Sequence, residues 1–270
     1  MKRILIALIL ILGGWLAAAA QQPVPLGVST LGIDVEVAPG EAREGTFTVV
    51  NRGEAPIDIE VTLRDFTRAL DGGLRMAAPE SYERSLAPYL IYTPSELTLG
   101  GGESRPVSYR IDLPESADGP HWSILMVRER SHDDGPDDDG GDGRRAGGVL
   151  SVSFGVQIRQ VDPSDRVLDG RLTDTDVLPP QDEAPRRVVT TFENTGTTFP
   201  MVTGEIRIIN AEGRETATID IDRFRVFPGL KRKVTTPIET DLPEGTYLAL
   251  VVLDFGGDYK VGGQTRFIVP

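Results

Sequence analysis

The sequence contains no cysteine. That excludes disulfide staples, thiol nucleophiles and Cys-ligated zinc, so apolar cores must hold any fold together, as cores of about 100 residues can. Histidine is nearly missing as well: His121 and His132 are the only two, and no further ligand stands at a zinc-site spacing from them. His121, just before Trp122, reads as a turn or surface residue. There is no G-x-S-x-G elbow, no H-E-x-x-H pair and no phosphate-cradling G-x-x-x-x-G-K-[ST] loop. The chain therefore reads as a non-enzyme, with no catalytic residues, no cofactor and no metal.

Long apolar runs are also scarce, and the one present is N-terminal. Met1-Lys2-Arg3 is a positive start, Ile4 to Leu12 is wholly apolar, and Ala18-x-Ala20 supplies small residues before Gln21. This is the layout of a secretory signal peptide over residues 1–20, and a spanning helix needs about 20 apolar residues. No cysteine follows, which excludes lipid modification there. The product is expected to be exported to the periplasm or cell surface, and not to be an integral membrane protein after cleavage. Loss of Lys2 and Arg3 takes 28 basic residues to 26 against 41 acidic, a net of −15. Such a charge repels nucleic acid.

Helical periodicity gives way almost everywhere to alternation. Ile33, Val35 and Val37 alternate with polar or small residues, as do Ile57, Ile59, Val61 and Leu63, then Val107, Tyr109, Ile111 and Leu113, and finally Leu150, Val152, Phe154, Val156 and Ile158. A period of two buries one face of a strand and turns the other to water. Pro39-Gly40, Asn51-Arg52-Gly53, Asp71-Gly72-Gly73 and Gly100-Gly101-Gly102 punctuate these runs as turns. Only 79–87 could form a short helical turn.

The second half repeats the first. Asn51-Arg52-Gly53 corresponds to Asn194-Thr195-Gly196, Asp112-Leu113-Pro114 to Asp241-Leu242-Pro243, and Leu99 to Arg105 to Phe227 to Arg232. Three landmarks in one order predict an all-β chain of two tandem immunoglobulin-like β-sandwiches, over residues 27–161 and 166–270, with an insertion at Phe66 to Tyr92 in the first. The short junction at Val161-Asp162-Pro163-Ser164-Asp165 should restrict how the two sandwiches sit.

The segments VAPGEAREGTFTVVNRGEAPIDIEVTLRDF, PYLIYTPSELTLGGGESRPVSYRIDLP and GPHWSILMVRE resemble the first domain of pilus-chaperone-like (PapD-type) proteins and the related domain of WxL-interacting cell-surface proteins. FENTGTTFPMVTGEIRIINAEGRE, VFPGLKRKV and DLPEGTYLALVVLDFGG resemble the second domain of such surface proteins. The resemblance implies a binding role played through sheet edges. Pilus chaperones lend a strand whose apolar side chains fill a groove in the pilin. The corresponding strand, Val149 to Gln160, offers Ser151, Ser153, Gly155, Gln157 and Arg159 on its outer face, and no basic pair is assignable as a carboxylate anchor.

The expected function is thus an exported, non-catalytic envelope or cell-surface binding or scaffolding protein, whose partner is an envelope or surface protein or a cell-wall polymer. A periplasmic pilus-assembly-type chaperone is the alternative. Tyr89, Ile91 and Tyr92, in a run that cannot all face inward, are the candidate contact residues. Trp122 and Tyr247 are read as core packing. The acidic stretch 131–148 carries six Asp, but placing Asp137, Asp139 and Gly140 at the third, fifth and sixth EF-hand positions puts Gly135 at the first. It reads as a solvated hairpin loop. The exported chain is expected to begin at Gln21, which intact mass of exported material checks; a retained Met1 overturns it.

Overall fold

The computed structural model describes residues 25–130 and 152–270. The segment read as a signal peptide and the acidic stretch lie outside the described residues. In the first half run β1 (Leu26–Val28), β2 (Gly32–Glu36), β3 (Ala42–Asn51), β4 (Ile57–Arg68), β5 (Leu74–Ala77), β6 (Leu90–Thr93), β7 (Glu96–Leu99), β8 (Ser104–Asp112), β9 (His121–Glu129) and β10 (Ser153–Val161). The second half has β11 (Gly170–Leu178), β12 (Arg187–Asn194), β13 (Met201–Asn210), β14 (Glu215–Arg225), β15 (Lys231–Pro237), β16 (Gly245–Asp254) and β17 (Val261–Val269). The chain is a pair of β-sandwiches, as its alternation predicts.

The first sandwich sets a sheet ordered β1-β3-β8-β6 against one ordered β2-β10-β9-β4-β5, with β7 also on β4. Val49, Val107 and Ile111 meet Ile59, Val61, Leu125, Val127, Val156 and Ile158 between them. The chain changes sheets at its start: β1 pairs antiparallel with β3, whereas β2 pairs parallel with β10. In the second sandwich β11-β12-β15 faces β14-β13-β16-β17 over a core that includes Val188, Phe192, Ile206, Val251 and Leu253. Tyr247 is buried there, stacked on Phe267, and its hydroxyl donates to the Pro243 carbonyl.

The repeat has a physical core. Asn51 and Asn194 end β3 and β12, both fully buried. The Asn51 amide donates to the carbonyls of Ala55, Leu99 and Gly100, and its oxygen accepts from the Gly53 N–H. The Asn194 amide donates to Thr198 and Val226, and its oxygen accepts from Gly196. Each therefore stitches its own turn to the loop before the next paired strand. Those loops match too: in Gly100–Glu103 and Phe227–Leu230 a four-residue turn carries a left-handed glycine, Gly102 or Gly229, third.

The insertion is anchored by one buried carboxylate. Asp65 on β4 accepts from the N–H groups of Ser81 and Tyr82 and from the hydroxyls of Ser85 and Ser123. Four donors replace the water a buried carboxylate loses. Beyond it Ala87–Tyr89 forms a single 3₁₀ turn leading into β6, so the expected turn is present but displaced past the insertion's anchor. Asp65→Ala leaves four donors without an acceptor and is expected to lower stability by about 3 kcal/mol. Chemical denaturation checks this; a loss below about 1 kcal/mol would show that water replaces the carboxylate.

Candidate functional site

The outer face of β9 departs from the rule that one side of a strand meets water. Its first five residues, His121 to Leu125, are all buried. Leu125 belongs to the first sandwich's core, but Trp122 and Ile124 face the other way and pack with Phe66, Val161, Phe199 and Phe227. Phe199 and Phe227 come from the second sandwich. Trp122 lies 5.7 Å from Phe199 and 5.3 Å from Phe227, while Phe227 lies 5.4 Å from Phe66 and 5.2 Å from Phe199. These are edge-to-face contacts, worth about 1 kcal/mol each beyond the area they bury. The indole N–H donates to the Phe66 carbonyl at 2.9 Å. Trp122 is thus a packing residue as expected, but of the junction between sandwiches.

Beside this apolar seal opens a cleft of about 490 Å³ between the sandwiches. Its wall is cationic: Arg68 from β4 and Arg159 from β10 face Arg225 from β14 and Arg232 from β15, with Arg223 and Lys231 at the rim. Asp34 on β2 is the carboxylate among them, pairing with Arg159 and, at 3.5 Å, with Arg225. Arg159 is only 6% exposed. Burial first, then the charges of Arg232 and Arg159, hold the Arg68 guanidinium below its ordinary pKa. Burial and then Arg159 do the same to Arg225, against the pull of Asp34. The Arg232 guanidinium sits over Gly72, where an added Cβ would fall 1.1 Å from Nη1; Gly72 also needs its left-handed φ of 83°. That Nη1 is shielded from solvent and has no partner among the described residues.

The cleft borders an unpaired length of strand. β2 covers β10 only from Gln157 to Val161, and the Gln157 N–H donates to the Leu31 carbonyl at 3.0 Å. Outward from there, among the described residues, Ser153 to Val156 pair with β9 on one side alone. N–H groups alternate along a strand, so those of Gly155 and Ser153 point to the same open edge as that of Gln157. The outer-face residue Arg159, expected at solvent, instead forms part of the cleft wall.

The candidate contact residues separate. Tyr89 packs edge-on against His121 at 5.5 Å, and the Tyr92 hydroxyl donates to the Val61 carbonyl. Ile91, 67% exposed, is the outward member, beside a second groove bordered by Tyr109 and Arg110. The cationic cleft escaped the sequence because Arg68, Arg159, Arg225 and Arg232 are scattered over 165 positions with no shared spacing. The available signal was Arg159, the one charged residue of the strand Ser153–Val161.

No protein-family model and no curated protein sequence matches the chain. Several solved structures are similar in outline. The class 5 fimbriae chaperone CfaA covers 91% of this chain and 99% of its own at 11% identity and a TM-score of 0.46. The E. coli chaperone DraB covers 91% and 95% at 14% identity and 0.42. The Pseudomonas aeruginosa CupB2 chaperone covers 87% and 97% at 14% identity and 0.40. All three of these proteins are chaperones.

His121 is buried, contrary to the surface position expected of it. Gln160 explains the burial: its side chain accepts from the His121 N–H and donates to the Val37 carbonyl, drawing the strand start inward. Burial, then repulsion from Arg84, holds the imidazole below its ordinary value of 6.5. The unfolded chain therefore takes up the proton first, so this residue's contribution is full above about pH 6.5 and falls as pH drops toward the folded value. His121→Gln is expected to flatten the decline in melting temperature between about pH 7 and 5; parallel curves for parent and variant overturn the assignment.

Proposed function

We propose that the protein is an exported, polypeptide-binding envelope protein of the assembly-chaperone kind. It holds an extended segment of its partner along Ser153–Val156 of β10, with an acidic group of that segment in the interdomain cleft. The observation that supports this reading is the cluster of arginines from both sandwiches, two of them paired with Asp34, opening beside a strand edge that is unpaired among the described residues. In a chain of net −13 a cationic cleft concentrates the field on one place and steers an acidic segment there.

The outer face of β10 sets the manner of binding. Ser153, Gly155 and Gln157 carry no large apolar group, so the strand adds affinity through its backbone rather than through side chains inserted into a groove. Charge then supplies the anchor. A scaffold using the β6 edge is a second reading, favoured by exposed Ile91 beside its groove; there Tyr89 and Tyr92 position the edge and Ile91 makes the contact.

A peptide of alternating Val and Thr with an acidic free C-terminus tests the two readings. Ser153→Pro removes one outward N–H without touching the β9 ladder. It is expected to weaken binding about fivefold, with Ile91→Ser unchanged. Fluorescence anisotropy at two salt concentrations measures both. Weakening by Ile91→Ser with Ser153→Pro unaffected favours the scaffold instead.

A further inference from the structure

The second sandwich has an opening of its own, away from β10 and the first sandwich. Among the described residues β14 pairs with β13 alone and β15 with β12 alone, so each of its sheets ends on an unpaired strand. Between those two edges lies a groove of about 480 Å³. Half-buried Ile219 and Val234 line it together with Thr236, which is only 7% exposed. Exposed Asp220 and Asp222 from β14 and Glu239 just past β15 give it a negative rim. The same two strands send Arg223, Arg225 and Arg232 to the interdomain cleft, so opposite charges are sorted along them.

The rim carboxylates are not neutralised. None of Asp220, Asp222 and Glu239 has a side-chain partner among the described residues. Arg207 on β13 is the cation opposite Thr218, but it donates to Glu205 at 2.7 Å. That same Glu205 stands directly across from Asp220, a like-charge neighbour that raises the cost of the rim. Thr236 is the second, independent sign. It lines the groove, it is more than nine-tenths buried, and its hydroxyl makes no hydrogen bond among the described residues. A buried hydroxyl costs stability until something bonds it. Charges on an edge strand do keep chains from stacking. That role accounts for the aspartates and leaves the unbonded Thr236 hydroxyl unexplained.

We propose that the gap between β14 and β15 is a second docking surface, which takes an extended segment of a partner protein with lysines at alternate positions. β14 is 11 residues long, and every second peptide group along it points away from β13, ready to pair with an added strand. Asp220 and Asp222 are two residues apart and so project from one face, about 7 Å from each other. Lysines two apart on the added strand match that spacing. The Thr236 hydroxyl gains a partner from a polar group that enters the gap. A second copy of this chain is a poor occupant, since pairing β14 with itself sets carboxylate against carboxylate. This surface is separate from the β10 edge and does not depend on it.

The test uses the chain from Gln21 and fluorescence anisotropy of labelled ten-residue peptides. One alternates Lys and Val and ends in an amide, which leaves the cationic cleft no carboxylate to hold. The second has Glu for Lys, and the third is the Lys peptide N-methylated at alternate positions. The parent is expected to bind the Lys peptide at least tenfold more tightly than either of the others. The double variant Asp220→Asn, Asp222→Asn is expected to lose about tenfold, and Thr236→Val about threefold. Thr236→Val keeps the shape and removes the unbonded hydroxyl, so its melting temperature should hold or rise while its affinity falls. A lowered melting temperature would make Thr236 a structural residue and remove the second sign. Glu212→Gln, an exposed carboxylate in the β13–β14 turn, controls for net charge. Affinity unchanged in the double variant, or lost equally in Glu212→Gln, overturns the docking surface, as does full binding of the N-methylated peptide. Calcium that raises the melting temperature of the parent but not of the double variant, with no peptide bound, replaces it with a metal site. Each of these failures leaves the β10 reading standing, because Ser153→Pro tests that one alone.

Discussion

The edge-to-face packing of Trp122 and Phe66 against Phe199 and Phe227 is the contact on which the rest depends. Without it the two sandwiches would be joined by a short linker and a few ion pairs, and relative motion is the ordinary state of such domains. The rings make the junction apolar and dry. That fixes β4 and β10 against β14 and β15, and the cleft exists only because those four strands hold still. It also explains why β9 is apolar on both faces: one side feeds the core of its own sandwich, the other seals the junction.

Electrostatics work against this arrangement and are contained locally. Burial first, and then repulsion from neighbouring arginines, lowers the pKa of Arg68 and Arg225. Asp34 relieves one pair. The apolar junction supplies the stability that lets the other pair remain unrelieved, a strain of the sort that gathers at binding sites. An acidic surface elsewhere makes the cleft stand out in the protein's field.

The same economy is visible within each sandwich. Asn51 and Asn194 do one job twice, replacing a broken ladder at a strand end with side-chain bonds to the next loop. Asp65 performs a similar task for the insertion, where no repeat partner exists. Asn51, Asn194 and Asp65 are each held by several hydrogen bonds and therefore fix one geometry. The Phe66–Tyr92 insertion consequently frames the cleft through Arg68 and Gly72, rather than serving as an independent arm.

The alternation of apolar residues, the Asn-x-Gly and Leu-Pro landmarks and the glycine turns determined the all-β class and the doubled architecture from sequence alone. They could, because strand period and turn chemistry are local properties that few residues specify. Ile91 as the outward member of its run was half legible: the sequence required that someone in Tyr89 to Tyr92 face out, and register chose which. The junction and the cleft were decided only by tertiary structure. Nothing local distinguishes Trp122 packing inward from Trp122 packing against a second sandwich. Nor does the sequence bring Arg68 near Arg232, since their meeting depends on the angle at which two separate folds close on four aromatic rings.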